Sequence, residues 1–313
     1  MTPQCANNNR SRRSSVVGGL RKSIAKTRQS LRASISLRRV KKTTSKSVDD
    51  RKVEYVLDNL SAEEVETAAR ASYEYLIEPH ASQQEFHARR MIERVLRSKK
   101  DENKALKLLK DTLRFREEID IDNLRLAFSS EGHKYQTPLK NGLASEKLFV
   151  HGFDREGRST YHFVPHKVNH HDAEWTLKEH VYTLERAIAC SRAEDRSVNA
   201  IVDFRHFSAM RHAPPTHIGK EFMTTFRNHY AGAINQIFIV DAPTTFFCLW
   251  AVFKPFIGKK TRDRIHIVKS SSPKIREWYE VEELPKWLGG KKDRSLNIDE
   301  YLHEVAFDHA FDE

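Results

Sequence analysis

Four residues in one short stretch have side chains that bind transition metals: His166, His170, His171 and Asp172. Three imidazoles beside a carboxylate can coordinate zinc. Their spacing fixes no further ligand, however, and a solvated loop between a strand and a helix accounts for the same residues. We therefore expect no metal site in this stretch.

Two aspartates, Asp203 and Asp241, each follow a short apolar run, where α/β enzymes often place catalytic groups. The chain has no GxSxG, P-loop or GxGxxG sequence to accompany them. We interpret both as turn and cap residues. The sequence thus predicts no catalytic residue, no enzyme activity and no cofactor.

The most unusual stretch is an apolar helix followed by cations. Every residue from Phe246 to Phe253 is apolar, whereas a surface helix normally has one apolar stripe. Lys259, Lys260, Arg262 and Arg264 follow within a few residues. An apolar helix beside cations suits a protein that holds an apolar ligand and meets an anionic bilayer. The alternative is a core helix followed by a solvated basic loop.

The elements around this helix indicate a mixed α/β fold. Residues 53–130 have helical periodicity, and Ser61 and Glu64 form a capping-box pattern. Residues 131–147 are polar and contain Gly and Pro, which predicts a linker. Strands then alternate with helices, which indicates a mostly parallel sheet. The predicted elements are a hairpin over 148–164, helices over 173–191 and 216–228, and strands over 199–204, 237–240 and 265–268.

The excess positive charge belongs to an N-terminal tail. The net charge is +11, and residues 1–50 contain thirteen Lys or Arg and two Asp, so the remainder is neutral. That balance disfavours nucleic-acid binding by the folded part. Within this predicted disordered tail, apolar residues share one face of a basic amphipathic pattern: Val17, Leu20, Ile24, Leu31 and Ile35. The tail is a membrane-binding segment, an inert arm or a mitochondrial transit peptide.

Cysteine content and hydropathy indicate a cytoplasmic protein that is peripheral to membranes. Cys5, Cys190 and Cys248 are far apart in sequence and suggest a reducing compartment. No apolar run approaches the roughly 20 residues of a membrane span. Mitochondrial targeting by the N-terminal segment is the alternative location.

Several motifs together make the chain resemble the CRAL-TRIO (Sec14-like) family. They occur in the family's order, over about residues 85–290. They are Leu96-Arg97-Ser98-Lys99-Lys100, Lys104-Ala105-Leu106-x-x-Leu109, Phe115-Arg116-Glu117, Gly157-Arg158-x-x-Tyr161, Ile201-Val202-Asp203-Phe204, Ile239-Val240-Asp241-Ala242-Pro243, Lys254-Pro255-Phe256-Ile257 and Glu283-Leu284-Pro285-x-x-x-Gly289-Gly290.

The resemblance implies a helical N-terminal lobe over 53–130, a lipid-binding domain over 145–292 and a C-terminal helix or tail over 293–313. It also implies a mixed, mostly parallel sheet that floors a lipid cavity, with a mobile lid over Thr244–Phe256. Family ligands include phosphatidylinositol, phosphatidylcholine, tocopherol and retinal. The residues implied for the cavity and lid are Tyr161, Phe163, Val198, Ala200, Val202, Phe246, Phe247, Leu249, Trp250, Phe253 and Phe256.

The basic turn suggests which branch of the family the chain is nearest. Lys260-x-x-x-Arg264-Ile265-His266 is similar to the tocopherol- and retinal-binding branch, where this turn contacts phosphoinositide headgroups. Where yeast-type phosphatidylinositol exchangers carry Pro-Glu-Arg, this chain has Ala231-Gly232-Ala233. The headgroup residues implied are Lys99, Lys259, Lys260 and Arg264.

Two functions follow as expectations. The first is a monomeric protein that binds a lipid or another hydrophobic small molecule and transfers or presents it at anionic, possibly phosphoinositide-containing, membranes. The second is a scaffold that uses the same fold and the basic tail to recruit partners to membranes without transfer. An occupied cavity would favour the first function.

Overall fold

The structure is a computed structural model that describes residues 48–291 and 297–303. The predicted basic amphipathic segment of the tail, and Leu296 in the predicted C-terminal helix, lie outside these residues. Thirteen α-helices occur in the described part of the chain. They are α1 (Asp50–Asp58), α2 (Ala62–Arg70), α3 (Tyr73–Ile77), α4 (Gln84–Ser98), α5 (Glu102–Glu118), α6 (Ile121–Arg125), α7 (Gln136–Leu143), α8 (Ala173–Cys190), α9 (Ala209–His212), α10 (Thr216–His229), α11 (Phe246–Phe253), α12 (Lys259–Arg262) and α13 (Ile298–His303).

The first six helices build the predicted helical region, and their ends follow local rules. Helix α2 begins with the predicted capping box, in which the Ser61 hydroxyl accepts from the Glu64 backbone and the Glu64 carboxylate accepts from the Ser61 backbone. Apolar stripes of α1, α2, α4 and α5 form one core that includes Val53, Ile92 and Leu109.

The predicted linker over 131–147 is wrong in part, because α7 occupies Gln136–Leu143. Pro138 lies in the first turn of α7, where a missing backbone N–H costs little. Gly142 lies so close to α8 that an added Cβ would be 1.6 Å from Oε1 of Glu179. This glycine therefore marks a close helix contact, although in the sequence it is indistinguishable from a loop glycine.

One five-stranded sheet forms the centre of the second half of the chain. Its strands lie in sequence order: β1 (Leu148–Phe153), β2 (Ser159–Phe163), β3 (Val198–Asp203), β4 (Ile234–Val240) and β5 (Ile265–Val268). Strands β1 and β2 form an antiparallel hairpin, and β2 to β5 are parallel. The predicted mixed, mostly parallel sheet flanked by helices is confirmed.

The two faces of the sheet are covered differently. On one face, Ile201, Phe238 and Val268 form a core with the short 3-10 turns Pro273–Glu277, Val281–Glu283 and Lys286–Leu288. The other face points to α8 and α10, where Tyr182 of α8 and Tyr230, directly after α10, belong to the same core as Ala200. On this second face Ile267 of β5 remains 43% exposed.

Buried side chains attach both ends of the described chain to the sheet region. Arg116 on α5 pairs with Glu185 on α8 at 2.7 Å, and both side chains are buried. At the other end, the Tyr301 hydroxyl accepts a hydrogen bond from the Val150 backbone, and Leu302 is buried beside it. The described part of the predicted C-terminal helix is therefore docked. No helix among the described residues has the length and hydropathy of a membrane span.

Candidate lipid site

Two apolar rows cross the open face of the sheet. The register pairs Tyr161 with Ala200, Ala200 with Ile237 and Ile237 with Ile265. The next row contains Phe163, Val202, Ile239 and Ile267. We call these two rows the apolar floor. Sequence analysis identified the β2 and β3 members but missed the four isoleucines, because strand register is not visible in a single strand.

Exposure of the apolar floor differs from one position to the next. Tyr161 and Ala200 are buried, and Val198, two residues further towards the start of β3, is fully enclosed in the core. In the second row, Phe163 and Val202 are partly exposed, Ile239 is buried and Ile267 is 43% exposed. The floor is therefore most open at Ile267 on β5, and Val198 lies outside its exposed part.

Helix α11 (Phe246–Phe253), the predicted lid, has apolar residues on two sides. Phe246, Trp250 and Phe253 are spaced along one stripe. Phe246 packs on Phe204 with 4.8 Å between ring centroids, and the Phe253 ring lies against Gly219 of α10. On the remaining surface, Phe247 is 50% exposed. The placement of the Leu249 side chain lies outside the described residues.

The lid ends in a 3-10 turn, Lys254–Phe256, that basic side chains attach to α10 and α12. Arg227 of α10 donates to the Phe256 carbonyl at 3.4 Å, and Lys220 Nζ lies 5.5 Å from the centre of the Phe256 ring. Arg262 donates to the Lys254 carbonyl at 3.3 Å. Polar contacts therefore hold this end of the lid, while ring packing holds the other.

One polar pair is buried beside the apolar floor. The Tyr161 hydroxyl forms a short hydrogen bond with Nδ1 of His180 on α8, among the rings of Phe163, Phe222 and Phe226. Burial, with a smaller effect of the Lys147 charge, lowers the pKa of His180 to about 3. Burial also raises the pKa of Tyr161 well above its ordinary value. His180 is therefore neutral at pH 7, and the protonated hydroxyl of Tyr161 can donate to it.

The predicted headgroup cations lie at the end of the sheet where β4 and β5 begin. Lys259 Nζ is 3.1 Å from Asp263 within the turn, and Arg264 donates to the Ile234 carbonyl at 2.9 Å. Lys99 is exposed just after α4, whose Arg94 carbonyl packs against Gly232, two residues before β4. The placement of the Lys260 side chain lies outside the described residues.

The structure gives the other candidate polar residues separate surroundings. His170 Nε2 lies 2.8 Å from the Glu179 carboxylate, whereas the His166 ring packs against His206. Among the described residues, no group of three or more His, Cys, Asp or Glu side chains is arranged to hold a metal ion. Asp203 accepts from the Arg205 backbone and Asp241 from the Ser270 backbone, as expected of turn and cap residues.

Comparison with known families matches the sequence model of the CRAL/TRIO domain to residues 143–290. These residues form a CRAL/TRIO domain. The match covers the whole sheet, α8, α10 and the lid, and it ends after the 3-10 turns that cover the other face. The described helices α1 to α6 lie before it.

Two of three curated relatives are named as phosphatidylinositol/phosphatidylcholine transfer proteins. The chain is 26% identical over 220 residues to the phosphatidylinositol/phosphatidylcholine transfer protein SFH7 of Arabidopsis thaliana, covering 64% of this chain and 39% of that protein. It is 27% identical over 218 residues to the SEC14 cytosolic factor of Kluyveromyces lactis, covering 64% and 70%. The chain spans 47% of a second Arabidopsis relative, SFH9, at 24% identity over 84% of this chain.

A solved structure confirms the fold. The crystal structure of Sfh5 superposes with a TM-score of 0.55 at 14% identity, covering 82% of this chain and 92% of that one. The predicted CRAL-TRIO fold is confirmed. The predicted nearness to the tocopherol- and retinal-binding branch is not supported, because these relatives are named as phosphatidylinositol and phosphatidylcholine transfer proteins. Four residues in the basic turn are too few to assign a branch.

Proposed function

We propose that this chain holds the acyl tails of a phospholipid between the apolar floor and the lid helix, and transfers the lipid between membranes. The two relatives named as transfer proteins favour phosphatidylinositol or phosphatidylcholine as the ligand. The observation that carries the proposal is the partly uncovered floor, where Ile267 is 43% exposed, together with the helix α11, which is apolar throughout. Burying a lipid tail there gains about 0.8 kcal/mol per CH₂ group.

The lid supplies a means of entry and exit. Its inner stripe packs on Phe204 and Gly219, which closes the site. Its outer residues Phe247 and Val252 are 50% and 42% exposed, an apolar surface that water disfavours and a bilayer accepts. Lid opening at a membrane therefore exchanges one apolar environment for another. No bond is made or broken in this cycle, so the proposal requires no catalytic residue.

Cations on the turn before β5 couple lid opening to binding at an anionic membrane. Lys259 and Arg264 are exposed on the turn that directly follows the lid, and Lys260 lies between them in sequence. An anionic headgroup that binds these cations more strongly in the open state shifts the protein towards that state. Lys99 lies near the same end of the sheet and is the fourth predicted cation. We place the phosphoinositide contact here.

Native mass spectrometry of the purified full chain, with lipid analysis of its organic extract, tests the proposal. We expect one phospholipid per chain and movement of labelled phosphatidylinositol or phosphatidylcholine between donor and acceptor vesicles. A chain that stays empty after incubation with a mixed lipid extract would contradict it. If such an empty chain still bound anionic vesicles, the result would favour membrane recruitment without transfer.

A further inference from the structure

A second polar feature lies away from the lid, in a cleft lined by arginines. Arg90, Arg94 and Arg97 are spaced along one face of α4. They line a cavity of about 70 Å³ together with Arg196, which precedes β3. The remaining walls come from the α2–α3 junction and the end of α8. Four guanidinium groups therefore converge on one small cavity.

Arg94 is the centre of the cleft, and its charge is not neutralised by hydrogen bonding. It is 9% exposed, and its Nε has no hydrogen-bond partner within residues 48–291 and 297–303. Nε of Arg97 also has no partner among these residues, although its Nη2 donates to the Asp195 carbonyl at 3.0 Å. Burial lowers the pKa of both guanidinium groups. A buried cation without an acceptor costs several kcal/mol, so this arrangement favours a counter-ion.

Nearby carboxylates are engaged elsewhere. Glu185, a buried acid whose charge partly offsets the burial of Arg94, receives Arg116 at 2.7 Å, and the Tyr230 hydroxyl donates to it at 2.9 Å. Glu74 at the rim bridges Arg90 and Arg196 at 2.8 Å and 2.7 Å.

Three further acids lie at the rim and limit what can enter. Glu93 lies 3.7 Å from Arg97, and the Asp195 carboxylate accepts from the Ser197 backbone and hydroxyl. Glu194 is exposed. A large or highly charged anion would meet these carboxylates, whereas a small anion can reach Arg94 between them.

We propose that this cleft binds a small phosphate-class oxyanion whose oxygens accept from Arg94 and Arg97. The planar fork of a guanidinium matches two oxygens of a phosphate group. A cavity of about 70 Å³ admits a group of that size, since about 10–15 Å³ on the same measure is enough to hold one water. The phosphate comes either from solution or from a phosphomonoester on a lipid headgroup that stands at the mouth of the cleft.

Thermal unfolding of the full chain in sodium phosphate, against sodium chloride of equal ionic strength, measures this binding. We expect a saturable rise in Tm with phosphate. Arg94→Gln and Arg97→Gln each weaken the apparent affinity by about tenfold or more, as for the loss of a charge-assisted hydrogen bond. Arg89→Gln is the matched control, because Arg89 is on the same helix but pairs with Glu54 and Glu85 outside the cleft.

Arg94→Gln also separates ligand binding from a structural role. Removal of a buried charge that makes no hydrogen bond should leave Tm in chloride unchanged or higher, whereas removal of a structural cation would lower it. If circular dichroism shows that this variant does not fold, the effect of Arg97→Gln on the apparent phosphate affinity tests the proposal alone. A rise in Tm that does not saturate and is equal in all variants is the general salt effect of phosphate and overturns the proposal. A wild-type chain with no response, as for a cleft that holds only water, also overturns it.

Vesicles distinguish the two sources of phosphate. Phosphatidylcholine vesicles with and without phosphatidylinositol 4-phosphate are compared for wild-type, Arg97→Gln and Arg89→Gln chains. Binding that depends on the phosphoinositide, weakens in Arg97→Gln alone and is reduced by inorganic phosphate identifies a lipid headgroup. Saturable phosphate binding without these vesicle effects identifies the free anion. Both results support the oxyanion site.

Discussion

The ring of Phe253 at the end of the lid helix lies against the backbone of Gly219 on α10, so closely that an added Cβ would be 2.6 Å from Cζ. Gly219 is buried in the interior of α10, where glycine is normally unfavourable. Its presence allows the lid to lie directly on α10. This contact makes the closed state sensitive to the side chain at position 219.

Gly219→Leu should therefore hold the lid away from α10. Overpacking of this kind costs about 1–3 kcal/mol in the closed state, so we expect the open fraction to rise by roughly tenfold. Lipid retained through purification should fall, and its loss to acceptor vesicles should accelerate. Gly258→Ala is the control, since nothing lies within 4 Å of a Cβ at that position. Equal lipid retention in the two variants would contradict this function of the Phe253 contact.

The ion pair of Arg116 and Glu185 predicts a loss of stability when one partner is removed. Both side chains are buried, and Arg125 lies 3.5 Å from the same carboxylate. Arg116→Met should lower the free energy of unfolding by about 3–5 kcal/mol, because it leaves a buried carboxylate with less compensation. Arg114→Met, on the exposed side of α5, should have little effect. Denaturant unfolding measures both, and equal midpoints would refute the prediction.

Acid should weaken the same interaction. Burial raises the pKa of Glu185, but the charges of Arg116 and Arg125 outweigh that effect and lower the pKa to about 2. A carboxylate with a lowered folded-state pKa stabilises the protein above its unfolded pKa of 4.5. This stability is lost as the pH falls from about 4.5 towards 2. Glu185→Gln should flatten the pH dependence of Tm in this window, and an unchanged slope would count against the pair.

His180 predicts a separate dependence at higher pH. Its pKa is about 3 in the folded chain and 6.5 as the ordinary value, so the unfolded chain binds more protons between these limits. Stability therefore falls as the pH drops below about 6.5. Between pH 6.5 and 4.5, His180→Leu should reduce the slope of the free energy of unfolding against pH by an amount that corresponds to at most one bound proton. His171→Leu, at an exposed position, is the control. Parallel pH curves for His180→Leu and the wild-type chain would exclude this contribution.

Local patterns in the sequence predicted the strands and the lid, because their signals are short-range. The run Ile237 to Val240 is β-branched and uncharged, and the residues from Phe246 are apolar on every side. The observed β4 begins three residues earlier, at Ile234, where polar side chains conceal the strand. Helix α7 was missed because Pro138 and Gly142 indicate a loop unless the neighbouring Glu179 is known.

Features that depend on long-range contacts could not be predicted from one sequence. Glu185 follows Arg116 by 69 residues, and only the packing of α5 on α8 brings them together. The isoleucines of β4 and β5 join the apolar floor through strand register, which needs the neighbouring strands. Likewise, nothing in the sequence shows that Gly219 faces Phe253. Sequence reasoning therefore identifies candidate residues that are consecutive in the chain and misses those that only folding brings together.

The basic turn predicts how the protein recognises an anionic surface. Each cation near such a surface contributes about 1 kcal/mol to binding. The double substitution Lys260→Glu with Arg264→Glu should therefore weaken binding to phosphoinositide vesicles by at least about tenfold. Lipid retention should persist, because the exposed turn is outside the apolar floor. Lys104→Glu with Lys107→Glu, two exposed positions on α5, gives the same change in net charge. Vesicle sedimentation compares the two pairs, and an equal loss in both would attribute binding to net charge rather than to this turn.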